Sequence, residues 1–269
     1  VFAAKGPAAF VEGSDEQLLS HLALTNSSSF RFLVSLQIAF GSYNVQIIQN
    51  TPIPDVPQSL VENLSSLARR AWSISRTLDA QEETSHAFLL PALLCPHLGA
   101  LDRIDLENEL KRIQVEIDDI AFDLYGFDEA DRSTITEPIG ASEVADEDDE
   151  AAEEEDADEE VPPDAQSALL SWCAGVAFGR FDWRLCTGER EAPPEPDPFD
   201  PLPTKSPGTL PDGAEPFHAH FGILVDDQGH PHDLARLIEE VLDRVGMSAP
   251  DDVRRWLQKD FFAFHLQRY

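Results

Sequence analysis

At 269 residues with 42% hydrophobic side chains, the chain is long enough for one or two domains with their own cores. No stretch approaches the roughly 20 consecutive apolar residues a membrane-spanning helix needs, and the N-terminus lacks the basic start and apolar run of a secretory signal. A formal net charge of −32 works against a broad nucleic-acid-binding surface.

The first residue is Val1, which fits an excised piece, an incomplete reading frame or a processed N-terminus. Residues 1–57 mix a helical pattern with a strand pattern. Asp15 is the expected cap of a helix through Leu18, Leu19, Leu22 and Leu24. After the polar break Asn26-Ser27-Ser28-Ser29, Phe30, Leu33, Val34 and Ile38 repeat like one buried helix face. Gly41-Ser42 then punctuates the chain. Tyr43, Val45, Ile47 and Ile48 form a β-branched run that predicts a short strand, stopped at Thr51-Pro52-Ile53-Pro54 because proline cannot continue a ladder.

Residues 58–132 read as a helical spacer. Leu60, Leu64, Leu67, Ala68 and Ala71 share a face, with Arg69, Arg70 and Arg76 largely on others. His86 to Leu94 permits a short buried helix. Ile104, Leu106, Leu110, Ile113, Ile117, Ile120 and Leu124 then step by threes and fours between alternating charges, up to a stop at Tyr125-Gly126.

Residues 133–164 form an acidic, low-complexity linker expected to be disordered. Positions 143–160 hold 13 acidic residues and no basic one, and setting them aside leaves the remainder at −19. Residues 165–269 predict a helical C-terminal domain. An apolar helix from Leu169 to Phe181 carries Gly175 and Gly179, whose plain use is close packing. A proline-dense loop from Pro193 to Pro211 follows, then a short strand Gly222-Ile223-Leu224-Val225. A helix capped by His232 or Asp233 comes next, and an aromatic-rich helix with Trp256, Leu257, Phe261, Phe262 and Phe264 closes the chain.

No catalytic constellation is present. There is no glycine-rich turn for S-adenosylmethionine, no Asn-Pro-Pro-Tyr type motif, no Walker lysine and no nuclease-type lysine beside paired acids. Cys95, Cys173 and Cys186 are odd in number and far apart, as expected of reduced thiols in a cytoplasmic protein. His218 and His220, with His230 and His232 nearby, can present imidazoles together, but Asp226, Asp227 and Gly229 between them read as a turn. No metal site is assigned. Candidate DNA contacts are Lys5, Arg31, Ser42, Tyr43 and Asn44 around the helix–break–strand unit. Gln46 and Gln49 have amides suited to adenine edges, and Arg69, Arg70 and Arg76 suit phosphates. The plainer alternatives are the polar face of a strand for the glutamines, and a solvated helix face paired with Glu62 or Asp79 for the arginines.

Two passages go beyond periodicity. Phe30-Arg31-Phe32-Leu33-Val34-Ser35-Leu36-Gln37, Gly41-Ser42-Tyr43 and Ile48-Gln49-Asn50-Thr51-Pro52-Ile53-Pro54 resemble the end of a target-recognition domain in large restriction–modification and phage-defence methyltransferases. Leu169-Leu170-Ser171-Trp172-Cys173-Ala174-Gly175-Val176-Ala177-Phe178-Gly179-Arg180-Phe181-Asp182 is the more specific passage. With Asp197-Pro198-Phe199-Asp200-Pro201-Leu202-Pro203 it resembles the C-terminal region of PglX-like adenine-specific DNA methyltransferases of BREX and DISARM defence systems. The resemblance does not extend to the acidic run at 143–160.

The resemblance implies a parent enzyme that uses S-adenosylmethionine to methylate the amino nitrogen of adenine in double-stranded DNA, with its catalytic domain upstream of Val1. Neither catalytic nor cofactor-binding residues are expected in this segment, which would be cytoplasmic and free of the membrane. The resulting expectation is an α+β, mainly α-helical chain. It holds the end of a target-recognition domain (1–57), a helical spacer (58–132), an acidic disordered linker (133–164) and a helical C-terminal domain (165–269) that helps position DNA. The alternative is an acidic protein–protein interaction module that assembles a defence complex with other subunits and does not touch DNA.

Overall fold

The computed structural model describes residues 13–38, 45–98, 103–136, 165–219, 224–250 and 252–269. Its contacts divide into two compact units, Val1–Ile74 with Glu107–Glu153, and Ser75–Leu106 with Glu154–Tyr269. The described residues are mainly helical, and their β structure amounts to two isolated bridges.

In the first unit, α1 (Asp15–Thr25) is capped by Ser14, one residue earlier than expected. The extended backbone of Ser14 lets its hydroxyl accept from Gln17 N–H, while the Gln17 side chain accepts from Ser14 N–H at 3.0 Å, a reciprocal capping box. Asp15 instead lies in the first turn, where its charge suits the helix dipole. α2 (Ser28–Ser35) starts from Ser27, whose hydroxyl accepts from Phe30 N–H, and it buries Phe30 and Val34. Its first residue is tied to α5 below, since the backbone N–H and hydroxyl of Ser28 both donate to Asp118, at 2.7 and 2.8 Å.

The strand expected at Tyr43–Ile48 is not formed over its described part, because α3 (Val45–Asn50) is helical there. Val45, Ile47 and Ile48 favour strands only where a neighbour offers a ladder, and the described residues of this unit offer none. The turn closes on itself instead, with Thr51 N–H and hydroxyl both donating to Ile47 C=O. α4 (Gln58–Asp79) buries Val61, Leu64, Ser65 and Ala68 in this unit. α5 (Arg103–Tyr125) contributes Ile113, Ile117, Ala121 and Phe122. It stops where Gly126 takes φ +70 and Phe127 N–H reaches back to Phe122 C=O, a turn that L side chains adopt only with strain. α6 (Glu129–Thr136) extends order into 133–136, the start of the stretch expected to be disordered. The Asp128 carboxylate accepts from Ala130 and Asp131 N–H, which starts that helix. The rest of that stretch lies outside the described residues.

The second unit holds the end of α4, a 3-10 helix Ala92–Leu98, the start of α5, and every element after α6. At its centre lies α7 (Ala165–Ala177), with every residue from Leu169 to Ala177 buried. A helix that is apolar all round has to be enclosed. It ends four residues before Phe181, earlier than the periodicity suggested, because Gly179 turns at φ +76 and Arg180 N–H donates to Gly175 C=O. The chain then folds back and lays the Phe181 ring on the helix. A Cβ on Gly175 would stand 2.4 Å from that ring, so only glycine admits it.

α8 (Arg184–Thr187) follows, and the proline-dense segment returns to donate Gly208 N–H to Phe88 C=O and Leu210 N–H to Arg180 C=O. α9 (Leu234–Arg244) buries Leu237, Ile238, Val241 and Leu242 and packs on α7. Of the strand expected at 222–225, residues 222–223 lie outside the described set, and Val225 makes one bridge to Asp233. α10 (Val253–Lys259) and α11 (Phe261–Arg268) complete the unit, Trp256 donating its indole N–H to the Ser167 hydroxyl at 3.1 Å. Helices of the expected spacer, 58–132, thus contribute to both units.

Candidate functional site

Of the candidate DNA contacts, Lys5, Ser42, Tyr43 and Asn44 lie outside the described residues. Arg31 is exposed on α2. Gln46 and Gln49 are exposed one turn apart on the short helix α3, so they share a helical face and not the polar side of a strand. Arg69 and Arg70 are exposed neighbours on α4, about 100° apart around its axis, while Arg76 follows Arg69 by two turns on the same side.

Arg70 is committed within its unit. Its Nε and Nη2 atoms meet both Glu109 oxygens at 2.8 and 2.9 Å, a forked pairing that holds Glu109 below the usual carboxylate range. One acid that Arg70 meets is therefore on α5. Arg69 and Arg76 are also engaged in interactions within the chain. A shallow cleft of about 320 Å³ in the same unit is lined by α1, by the loop from Ile53 to Val56 and by the start of α4.

In the second unit most arginines are matched to carboxylates. Arg184 and Arg190 both clamp Asp182, which is fully buried. Burial opposes the charge on Asp182, yet hydrogen bonds from the two guanidinium groups hold its carboxyl below the usual range. Arg190 also donates to the Thr209 and Pro207 carbonyls, pinning the end of the proline-dense segment. Arg254 bridges Asp226 and buried Asp233, Arg268 pairs with Glu82, and Arg244 meets Glu189 at 3.3 Å.

A buried polar cluster that sequence inspection missed surrounds Glu83. It accepts from the Ser171 hydroxyl at 2.6 Å, from the Tyr269 hydroxyl at 2.8 Å and from Arg180 at 3.3 Å. His265 Nε2 stands 3.3 Å from Ser171 Oγ, and its Nδ1 faces Phe261 C=O at 2.8 Å. Burial, then the Glu83 charge, pushes the Tyr269 hydroxyl up from its ordinary pKa.

A carboxylate, a serine and an imidazole in contact suggest nucleophilic catalysis, but the order is wrong for it. The acid binds the serine and does not orient the imidazole, whose other nitrogen faces a backbone carbonyl. Ser171 is also only 2% exposed, so a substrate has no path to it. The cluster fastens α11 to α7. Its partners lie 88 and 186 residues from Glu83, and no local pattern announces such pairings.

The three cysteines are free thiols. Burial pushes both Cys95 and Cys186 to about 11 and raises buried Cys173 as well, so they are poor nucleophiles. His220 lies outside the described residues. His218 approaches Glu240 at 3.7 Å, and His232 N–H donates to His230 Nδ1. Among the described residues no group of three or more His, Cys, Asp or Glu side chains is placed to hold a metal ion. No described helix is long and apolar enough to cross a membrane. Comparison of the chain with protein-family models, curated proteins and solved structures gives no match.

Proposed function

We propose that this chain is the non-catalytic, DNA-positioning part of a PglX-like, site-specific adenine-N6 DNA methyltransferase of phage defence. What supports the reading is where its most specific passage falls. Residues 169–182 are α7 and the turn after it, and they supply the centre of the second unit's core together with the clamped Asp182. A likeness carried by residues that build a core speaks for a shared domain more strongly than one on a solvated surface. In this reading, S-adenosylmethionine and the base-flipping motif belong to another part of the parent protein, which works on double-stranded DNA in the cytoplasm. The present segment orients the duplex, with Arg31, Arg69 and Arg76 toward phosphates and the α3 amides of Gln46 and Gln49 toward base edges.

A second reading has its own support. Most arginines of the second unit face carboxylates, Arg70 does the same in the first, and the chain carries −32. That balance favours an acidic module that binds other subunits of a defence complex. Fluorescence anisotropy of a labelled duplex at low ionic strength separates the two. Binding that weakens as salt rises is expected for DNA positioning, and absence of binding at low salt overturns it in favour of the module.

A further inference from the structure

α10 and α11 form a nearly continuous helical arm. Asp260 between them keeps α-helical backbone angles, its N–H donates to Trp256 C=O at 2.8 Å, and its carbonyl accepts from Phe264 N–H at 2.9 Å. One side of the arm is committed to the unit. Val253 and Trp256 are buried, the Trp256 and Phe261 rings meet edge-on at 5.4 Å, and His265 and Arg268 reach Ser171 and Glu82.

The other side is open. Arg255, Lys259, Phe262 and Leu266 are all exposed, Phe262 by 71% and Leu266 by 68%. Their spacing of four, three and four residues is that of the seam of a two-helix coiled coil, and Tyr269 continues it. Tyr269 is itself anchored through its hydroxyl to Glu83, which holds the arm's end in place.

Charge makes this seam unusual within the molecule. From its cap onward the arm, residues 252–269, carries Arg254, Arg255, Lys259 and Arg268 against two acids, Asp252 and Asp260, in a chain of net −32. Among the described residues the Arg255 and Lys259 side chains form no ion pair, while the Arg255 N–H donates to the Asp252 carboxylate at 2.8 Å as the cap of α10. A second copy of the chain is a poor match for the seam. Paired in parallel, it would set cations against cations, and paired antiparallel, it would set Arg255 and Lys259 over Phe262 and Leu266. Nucleic acid would gain two phosphate contacts here but would leave the apolar half unused.

We propose that the open face of α10–α11 is a docking seam for an amphipathic helix of a partner protein, acidic where it meets Arg255 and Lys259 and aliphatic where it meets Phe262 and Leu266. The seam gives the chain a protein partner whether or not it also guides DNA. Helix-in-groove recognition of this kind draws affinity from anchors at three- and four-residue spacing and specificity from flanking charge.

The probe is a fluorescent synthetic helix of about three heptads, leucine at both seam positions and glutamate flanking, with a lysine-flanked twin as control. The full chain should bind the glutamate helix at least about tenfold more tightly than the lysine helix. F262D/L266D should abolish binding without changing the melting temperature, since both side chains are already exposed. R255E/K259E should reverse the preference between the two helices, a gain that an unfolded variant cannot produce. Equal binding of both helices, or binding of neither, would overturn the proposal. So would a concentration-dependent dimer that F262D/L266D dissolves, or displacement of the helix by an oligonucleotide.

Discussion

At the scale of single residues, the second unit depends on a few side chains with no substitute. Asp182 is fully buried, and two arginines keep it charged. Removing one partner of such a cluster strands the others, so Asp182→Asn should cost about 3 kcal/mol in urea denaturation. The pH dependence follows from the lowered carboxyl. The clamp's stabilisation is complete above the unfolded aspartate value of about 3.9 and is lost as pH falls through the lower folded value. The asparagine variant should lose that part of the acid transition. Gly175→Ala forces a methyl group into the Phe181 ring and should cost about 2 kcal/mol, read in the same melt. The thiols make a third prediction. With Cys95 and Cys186 at about 11 and Cys173 buried, an aromatic disulfide reagent at neutral pH should label none of them in the native chain and all of them in denaturant.

At the scale of elements, the legible ones were those whose burial is written along their own length. α7 could be read because it is apolar on every side, and α9 because Leu237, Ile238, Val241 and Leu242 repeat at the helical period. α3 could not, since a short β-branched run fits a helix or a strand equally well and only a ladder partner decides. The α1 cap was misplaced by one residue because Ser14 and Asp15 both have capping side chains and only backbone geometry separates them. Ser14→Ala should therefore destabilise the first unit by about 1 kcal/mol in thermal unfolding, while Asp15→Ala, which leaves the capping box intact, should cost less. The polar contacts were least legible of all. Arg70 meets Glu109 across 39 residues and Glu83 meets Tyr269 across 186, distances over which sequence spacing carries no signal.

At the scale of the whole chain, charge and likeness point in different directions. The residues on which the proposed methyltransferase reading rests build a core, while the net −32 and the matched arginines leave few cations for phosphates. DNA positioning by this segment then has to rest on a handful of contacts, and Arg69, Arg70 and Arg76 can each make one only by releasing partners within the chain, Glu109 in the case of Arg70. The most direct test is duplex affinity across a salt series, for the chain and for R69A/R70A/R76A. Each lost phosphate contact changes the slope of log affinity against log salt by about 0.9, so the account predicts a salt-sensitive complex whose slope flattens by about 2 to 3 in the variant. No binding at low salt, or a slope that the three alanines leave unchanged, would contradict it.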